Sequence, residues 1–370
     1  MVHHISADGA SLEPLARPDP RLRGAGCETG TGLVALPVQY ADYSQWQIEL
    51  LGSDDDPDTL EAKQLDYWTS TLAGLPDVID LPLDRPRPAE RSMRGESVRF
   101  SVPADVHSEL LELARNHNAT PFMVMHAVLA VLLARLSASP DIAIGTPVGG
   151  RAEQVLDDLV GMFVNTVVLR ITVDTAATFE EILSRTREVD LAAFGQAEVP
   201  FERVVDAVAP ERSSSRSPLF QVLLEFQNTA DPHLELPGLD VDVVPVDVGV
   251  AKFDLQLSLS EQRGKDGVPM GFDAAFTYAS DIFERTTVAE FGERFVRLLR
   301  SVVSDPTVPV GDTEILARRA WVGGGWLGWC GGCGGGLTLV DVLDGRFAGV
   351  GGGGWCVVGW CCRGVSSMFG

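Results

Sequence analysis

Residues 122–136 form a nearly uninterrupted apolar stretch that any fold of this chain must bury, because only His126 and Arg135 within it are polar or charged. Thr120 and Pro121 precede the stretch as the N-cap and first-turn proline of a helix. A helix that is apolar on nearly every face lies inside a protein, with other elements packed around it. The stretch is shorter than the ~20 apolar residues of a bilayer span. It therefore predicts a central, buried helix and no membrane segment.

Helical and strand patterns interleave on both sides of this helix. Phe253, Leu255, Leu257 and Leu259 alternate with polar residues, which is typical of a strand with one solvated face. Further helices are predicted at 40–51, 59–73, 104–117, 178–195 and 284–303, and further strands at 98–102, 142–148, 164–173, 219–227 and 271–278. The pattern predicts a mixed α/β (α+β) fold with helices packed on a largely antiparallel sheet.

The charge of the chain limits its partners. The 370 residues include 52 Asp and Glu against 29 Lys and Arg, a net charge of −23. Such a surface repels nucleic-acid phosphates and anionic lipids, so we expect neither nucleic acid nor membrane as a partner. Residues 1–20 lack the basic start, apolar stretch and small-residue cleavage site of a secretory signal. A cytoplasmic location is expected.

Residues 317–370 differ in composition from the rest of the chain. They hold five of the six Cys, five of the seven Trp and 18 of the 38 Gly, without a helical or alternating pattern. Cys330-x-x-Cys333 with the later cysteines could be a zinc site, but histidine is absent there and the spacing is irregular, so no metal is expected. The composition is typical of a GC-rich gene translated in a wrong frame. We expect a frameshift near 315–319 and a disordered or out-of-frame tail.

Two adjacent histidines are the first candidates for chemistry. His3 and His4 are followed by Asp8 and the turn residue Gly9. If residues 1–5 end a strand, the two imidazoles point to opposite faces, so only one of them serves a given pocket. The Asp-Gly turn would fold the carboxylate back to fix the imidazole or the loop. Adjacent histidines near a chain start also occur without any catalytic role.

The other histidines and Cys27 form no catalytic set in the sequence. His107 and His117 have charged neighbours on a helix face and are expected to be solvated, whereas His126 is expected to be a hydrogen-bonded core residue. Cys27 is isolated, and no phosphate-binding glycine loop with its lysine is present.

Six short motifs follow one another in a fixed order along the chain. They are His3-His4-x-x-x-Asp8-Gly9-x-Ser11, Tyr40-x-x-Tyr43-x-x-Trp46, Ile144-Gly145-Thr146-Pro147-Val148-Gly149-Gly150-Arg151, Val160-Gly161-Met162-Phe163-Val164-Asn165-Thr166, Val199-Pro200-Phe201-Glu202, and Arg212-x-x-Ser215-Arg216-Ser217-Pro218-Leu219-Phe220-Gln221. Each motif alone is unspecific, but together they closely resemble the condensation domain of nonribosomal peptide synthetases. The resemblance begins at the HHxxxDG motif of that domain and covers about residues 1–316.

The resemblance implies a chloramphenicol-acetyltransferase-like fold, doubled into two lobes around a tunnel. Residues 1–80 would be the remnant of the first lobe with its crossover linker, and 81–316 the second lobe. Most of the first lobe would be missing, so this polypeptide is expected to be poorly stable and inactive alone. Residues 317–370 would lie outside the domain.

The resemblance also implies an activity. Donor and acceptor peptidyl carrier proteins would present substrates on phosphopantetheine arms, and the donor acyl group would pass to the acceptor amine to form an amide. No cofactor would be bound directly, and an adenylation domain would be a neighbour in the intact synthetase. By motif position His4 would be the catalytic residue, with His3 as its strand neighbour. Asp8 would be structural, held by an arginine of the upstream lobe, and Gly9 would make the turn.

The remaining motif residues have assignments that follow from the same resemblance. Asn165 and Ser11 would lie near the tunnel or the substrate, although Asn165 could equally make a strand-end hydrogen bond. Fold-stabilising roles, with a carrier contact as the lesser alternative, are expected for Arg151, Arg212, Arg216 and Trp46. An epimerization-type relative and a non-catalytic remnant that only binds neighbouring domains are the alternatives. A heterocyclizing relative would have Asp in place of His3.

Overall fold

The computed structural model describes residues 3–16, 36–53, 56–211, 213–227, 248–264, 266–316, 338–343, 346–351, 354–357 and 360–362. The chain divides into two compact units, Met1–Thr313 and Glu314–Gly370. Cys27, Arg212, Cys330 and Cys333 lie outside the described residues, and so does the zinc alternative.

The larger unit alternates helices and strands, as the sequence predicts. Its helices are α1 (Leu12–Ala16), α2 (Tyr40–Leu51), α3 (Leu60–Thr71), α4 (Ala104–Asn116), α5 (Pro121–Ser137), α6 (Phe179–Phe194), α7 (Phe201–Val208) and α8 (Arg285–Ser304). Its strands are β1 (Gly95–Val102), β2 (Asp141–Gly149), β3 (Val164–Thr172), β4 (Val222–Gln227), β5 (Leu255–Arg263) and β6 (Pro269–Ala279). Short 3-10 turns lie at His4–Ser6 and Gln154–Leu156.

The six strands form one mixed sheet in the order β1-β6-β5-β4-β2-β3. The pairs β1–β6, β5–β6 and β2–β3 are antiparallel, whereas β4 pairs in parallel with both β2 and β5. The prediction of a largely antiparallel sheet therefore missed its parallel centre. Parallel neighbours require crossover connections, and β3, α6 and α7 together form the crossover between β2 and β4.

Helix α5 is the central helix that the apolar stretch predicts, with residues 123–134 all buried. The Thr120 hydroxyl accepts a hydrogen bond from the Met123 amide at 3.2 Å and caps the helix beside Pro121. His126 is a hydrogen-bonded core residue as predicted, since its Nδ1 lies 2.8 Å from the fully buried Asp190 of α6. Within the described residues no single helix has the length and apolarity of a membrane span. Helices α4 and α5 together have that length and apolarity, but a bend of 104° separates them.

His107 is fully buried, so the prediction that it is solvated is wrong. Its Nδ1 accepts a hydrogen bond from the Gly271 amide at 3.1 Å, and its Nε2 lies 2.9 Å from the Glu261 carboxylate. Its charged sequence neighbours Glu109 and Glu112 are exposed on the other side of α4. The charged residues lie on the solvent face of α4, whereas His107 lies on the face that packs against β6.

In the smaller unit, the described residues form a four-stranded antiparallel sheet. The strands are β7 (Thr338–Leu343), β8 (Arg346–Gly351), β9 (Gly354–Val357) and β10 (Trp360–Cys362), in the order β10-β9-β8-β7. Between the glycine runs, this segment carries Val, Leu, Trp and Cys residues, of which Val and Trp favour strands. The preference of these residues for strands accounts for the pairing of β7 to β10, which no alternating apolar pattern predicted.

Candidate functional site

The two histidines lie on a 3-10 turn, so the prediction of a strand that sends them to opposite faces is wrong here. His3 is the N-cap, and its Nδ1 accepts a hydrogen bond from the Ile5 amide at 3.2 Å. His4 Nδ1 lies 3.0 Å from the carbonyl oxygen of Ala7. Because a carbonyl only accepts, Nδ1 carries the proton and the neutral ring keeps its lone pair on Nε2. The exposed His4 side chain therefore presents a base to its surroundings.

Asp8, four residues after His4, is buried with only 4% of its surface exposed. Its Oδ1 accepts hydrogen bonds from the Ser11 amide at 2.9 Å and from the Ser11 hydroxyl at 2.7 Å. Its Oδ2 accepts from the Phe163 amide at 3.2 Å, and its own amide donates to the Gly161 carbonyl at 3.0 Å. These bonds fix the turn that follows the histidines to the segment just before β3.

Arg151, two residues beyond the end of β2, supplies the charge that pairs with Asp8. Its Nη2 lies 3.0 Å from Asp8 Oδ1 and 2.9 Å from Ser11 Oγ, while Nη1 donates to the carbonyls of Leu156 and Leu159. Its guanidinium lies 4.0 Å from the centre of the Phe163 ring. An arginine of the upstream lobe was expected as the partner of Asp8, but here the partner comes from the Gly149-Gly150-Arg151 motif. The nearly buried guanidinium favours the fold-stabilising role expected for Arg151.

Burial alone would raise the pKa of Asp8, because it disfavours the charged carboxylate. The hydrogen bonds from Ser11 and Arg151 and the positive charge of Arg151 outweigh this effect, and the pKa of Asp8 is lowered. Asp8 is therefore a buried anion that Arg151 neutralises. The His4 ring is bonded to the Ala7 carbonyl rather than to Asp8.

An aromatic buttress, defined as Tyr40, Tyr43 and Phe163, lies against this network. The Tyr40 hydroxyl donates to the Met162 carbonyl at 2.7 Å, and the Tyr40 and Phe163 rings meet edge to face at 5.2 Å. Tyr43 lies 4.6 Å from Phe163. Burial raises the pKa of Tyr43, and the negative charge of Glu198 adds to that rise.

Trp46, on the next turn of α2, contacts the Tyr43 ring at a centroid distance of 5.9 Å but remains 46% exposed. Tyr43 is therefore packed against Phe163, whereas Trp46 covers it from the solvent side.

Asn165 in β3 bonds to the loop that leads into α7. Its Nδ2 donates to the carbonyls of Ala197 and Val199 at 2.8 and 2.7 Å, and its Oδ1 accepts from the amides of Phe201 and Thr166 at 3.0 and 2.8 Å. Both ends of the amide are thus engaged with backbone. Of the two roles expected for Asn165, the geometry supports the strand-end hydrogen bond.

Arg216 forms surface ion pairs rather than part of this network. Its guanidinium lies 3.0 Å from Glu211 and 3.8 Å from Asp77. The structure therefore brings together Asp8, Ser11 and Arg151 beside the His4 turn, and leaves Asn165 and Arg216 in separate networks. Tyr40 and Phe163 were not predicted as part of the site, although their place in two of the six motifs was a signal for it. Among the described residues, no group of three or more His, Cys, Asp or Glu could hold a metal ion.

Curated relatives share this sequence over most of its length. The chain is 46% identical over 318 residues to a dimodular nonribosomal peptide synthase of Bacillus subtilis (strain 168), which covers 86% of this chain and 13% of the relative. It is 40% identical over 317 residues to an isonitrile lipopeptide synthase of Mycobacterium tuberculosis. That match covers 85% of this chain and 13% of the relative. The chain thus spans about an eighth of the length of these relatives.

Solved structures share the fold. The X-domain from teicoplanin biosynthesis in complex with OxyB matches with a TM-score of 0.77 and 32% identity, over 86% of this chain and 69% of that chain. A four-domain nonribosomal peptide synthetase bound to AMP and glycine matches with a TM-score of 0.71 and 25% identity, over 86% of this chain and 24% of that one.

These matches confirm the predicted mixed α/β, chloramphenicol-acetyltransferase-like fold class. The family model described as Condensation domain matches residues 1–320. With its ordered motifs, its mixed sheet and these relatives, the chain belongs to the condensation-domain family of nonribosomal peptide synthetases.

Proposed function

We propose that this chain takes part in amide-bond formation between two carrier-tethered substrates, with His4 as the general base. Condensation domains act on phosphopantetheine-tethered substrates of partner carrier domains. The observation that carries the proposal is the arrangement of His4, whose Nδ1 is committed to the Ala7 carbonyl while the exposed ring keeps Nε2 free to accept a proton. The buried Asp8–Arg151 pair fixes the turn that follows it.

In the proposed reaction the acceptor amine attacks the carbonyl carbon of the donor thioester. The new C–N bond forms as Nε2 of His4 takes the ammonium proton, the C–S bond breaks, and the leaving thiolate of the donor arm recovers that proton. General-base assistance contributes about 10²–10⁴ in rate. Orientation of two tethered substrates can contribute about 7–11 kcal/mol. Positioning therefore outweighs the base, and loss of His4 slows the reaction without abolishing it.

Asp8 holds the turn and does not relay protons in this proposal. It bonds to Ser11, Phe163, Gly161 and Arg151, and its lowered pKa keeps it ionised at neutral pH. Its contribution is to hold a backbone geometry that presents His4.

Two carrier domains and an adenylation domain are the proposed partners, in keeping with relatives that are multidomain synthetases. The chain covers 69% of the X-domain structure, so that neighbour has residues without a counterpart in the match. We propose that the first lobe of the family fold supplies the other wall of the tunnel. Amide formation then needs that lobe, and this chain alone is inactive.

The test supplies the first lobe of the Bacillus subtilis relative, fused before residue 1, with a donor aminoacyl carrier and an acceptor aminoacyl carrier. Dipeptidyl carrier is measured by intact-protein mass spectrometry. We expect His4→Ala to lower the rate about 10²–10⁴-fold. His117→Ala, at the half-exposed end of α4, is the control and should keep the parent rate. An unchanged rate in His4→Ala refutes the base assignment.

A non-catalytic binding role is the second candidate, favoured by the likeness to an X-domain crystallised in complex with OxyB. A fusion that binds both carriers but forms no amide, with or without His4, would support this role over catalysis. A released product whose donor residue has inverted configuration would instead point to the epimerization-type alternative.

A further inference from the structure

The backbone of residues 161–163 forms hydrogen bonds with Asp8. The Gly161 carbonyl accepts from the Asp8 amide at 3.0 Å and lies 3.0 Å from Ser11 Oγ, and the Gly161 amide donates to Ser11 Oγ at 3.1 Å. The Phe163 amide donates to Asp8 Oδ2 at 3.2 Å. Any displacement of this segment therefore displaces the turn that follows His4.

Tyr40 holds that segment from the opposite side. Its hydroxyl donates to the Met162 carbonyl at 2.7 Å. Its ring occupies the space where a side chain on Gly161 would lie, because a Cβ built there would be 2.1 Å from Cδ2 and 2.4 Å from Cε2 of the ring. Only glycine allows the backbone to lie this close to the ring.

Tyr40 is itself fixed at the start of α2. The Gln39 amide donates to the Asp42 carboxylate at 2.8 Å in a capping box, which sets the first turn of the helix. The edge-to-face contact with Phe163 then restricts the Tyr40 ring. A rigid aromatic side chain thus links a helix terminus to the Asp8 network without contacting the histidines.

We infer that Tyr40 is a positioning residue for condensation, acting through Gly161 and Met162 on Asp8 and so on the orientation of His4. The inference rests on the proposed catalytic role of His4. The Tyr40–Trp46 motif then has a mechanical role in the reaction, which neither its composition nor its helical spacing indicated.

The first experiment needs no catalysis and uses the full chain. Amide hydrogen exchange is measured at Asp8 and Ser11 in Tyr40→Phe, which keeps the ring and loses the bond to Met162. We expect these two amides to exchange about 2–10-fold faster, the factor that corresponds to one net hydrogen bond. Tyr67→Phe is the matched control, because this half-buried tyrosine packs on Trp68 in α3. Unchanged exchange at Asp8 and Ser11 overturns the inference, as does an equal acceleration in the control.

A second experiment tests the close approach at Gly161. Gly161→Ala should accelerate the same exchange in the parent chain, since the methyl group displaces the Tyr40 ring. In a Tyr40→Ala background the same substitution should have less than a twofold effect, because the ring is no longer there. Equal effects in both backgrounds would show that the two residues act independently and would overturn the proposed linkage.

The third measurement concerns the reaction, in the fused protein described above. Tyr40→Phe should lower kcat about tenfold and leave KM for both carriers unchanged, because misorientation of the base affects the transition state. A rise in KM with kcat unchanged would assign Tyr40 to carrier binding and overturn the positioning role. If the exchange result holds while the fusion forms no amide in any variant, the proposed function fails and the mechanical linkage stands.

Discussion

At the scale of single residues, the structure shows contacts of buried polar groups that the sequence did not predict. Asp8 and Arg151 are 143 positions apart and form an ion pair that is nearly shielded from solvent. Removal of one partner of such a pair typically costs about 3–5 kcal/mol, because the other charge remains buried. The same principle applies to the buried His107, whose two ring nitrogens are hydrogen-bonded to Glu261 and Gly271.

His107 predicts a loss of stability on acidification. Burial lowers the pKa of His107, and the hydrogen bond to Glu261 offsets only part of that effect. In the unfolded chain His107 therefore binds a proton near pH 6.5, whereas in the folded chain it remains neutral at that pH. The free energy of unfolding falls as the pH drops below that value. The slope is at most about 1.4 kcal/mol per pH unit for one proton.

The measurement is the free energy of unfolding by urea between pH 7.5 and 5. In His107→Gln, whose amide can still accept from Gly271 and donate to Glu261, the slope below about pH 6.5 should decrease. Asn116→Ala, at an exposed position without a titrating side chain, is the control and should keep the parent slope. An unchanged slope in His107→Gln would contradict the assignment.

At the scale of elements, one side chain joins β3 to α7. Asn165 makes four hydrogen bonds to the backbone of the loop before α7 and of its own strand. The Trp68 indole donates to the Gln196 carbonyl at 3.0 Å, and the Val199 amide donates to Gln64 at 2.9 Å. The loop is therefore held between β3 and α3 by side chains from both.

Asn165→Ala should lower the free energy of unfolding by about 2–6 kcal/mol, the sum of four net hydrogen bonds of about 0.5–1.5 kcal/mol each. Asn165→Asp should cost at least as much, since a carboxylate oxygen would face the carbonyls of Ala197 and Val199. Urea unfolding checks both, with the exposed Asn116→Ala as the control. A loss of less than 0.5 kcal/mol in Asn165→Ala would show that the loop is held by its other contacts.

At the scale of the whole molecule, excess negative charge opposes compaction. Residues 1–316 carry 50 acidic and 25 basic side chains. Like charges repel over a Debye length of about 30 Å at 0.01 M salt and about 8 Å at 0.15 M. Individual surface ion pairs such as Arg85–Glu284, with both side chains about half exposed, contribute little in comparison.

Sodium chloride should therefore stabilise the folded chain. We expect Tm to rise by about 1–2 °C between 0.01 and 0.15 M, which corresponds to about 1 kcal/mol when the unfolding entropy is about 2.1 cal/mol/K per residue. Differential scanning fluorimetry measures it, with sucrose at the same osmolarity as the uncharged control. A fall in Tm with salt would mean that favourable ion pairs outweigh the surplus repulsion.

Local sequence patterns were enough to predict the central helix, the alternation of β5, the cap at Thr120 and the order of motifs that indicates the family. These features depend on local propensity and on the period of apolar residues, which act over a few neighbours along the chain. The same local information predicted that His126 is a core residue, because apolar residues surround it on all sides of α5.

Which distant residues meet depends on how the folded elements pack and could not be predicted from the sequence. The parallel centre of the sheet, the burial of His107 and the pairing of Asp8 with Arg151 all depend on which faces pack together. The turn at His4–Ser6, in place of a strand, accompanies the burial of Asp8 against residues 161–163. Contacts between residues more than a hundred positions apart leave no periodic signal in the sequence, because their energy is realised only when the elements between them have folded.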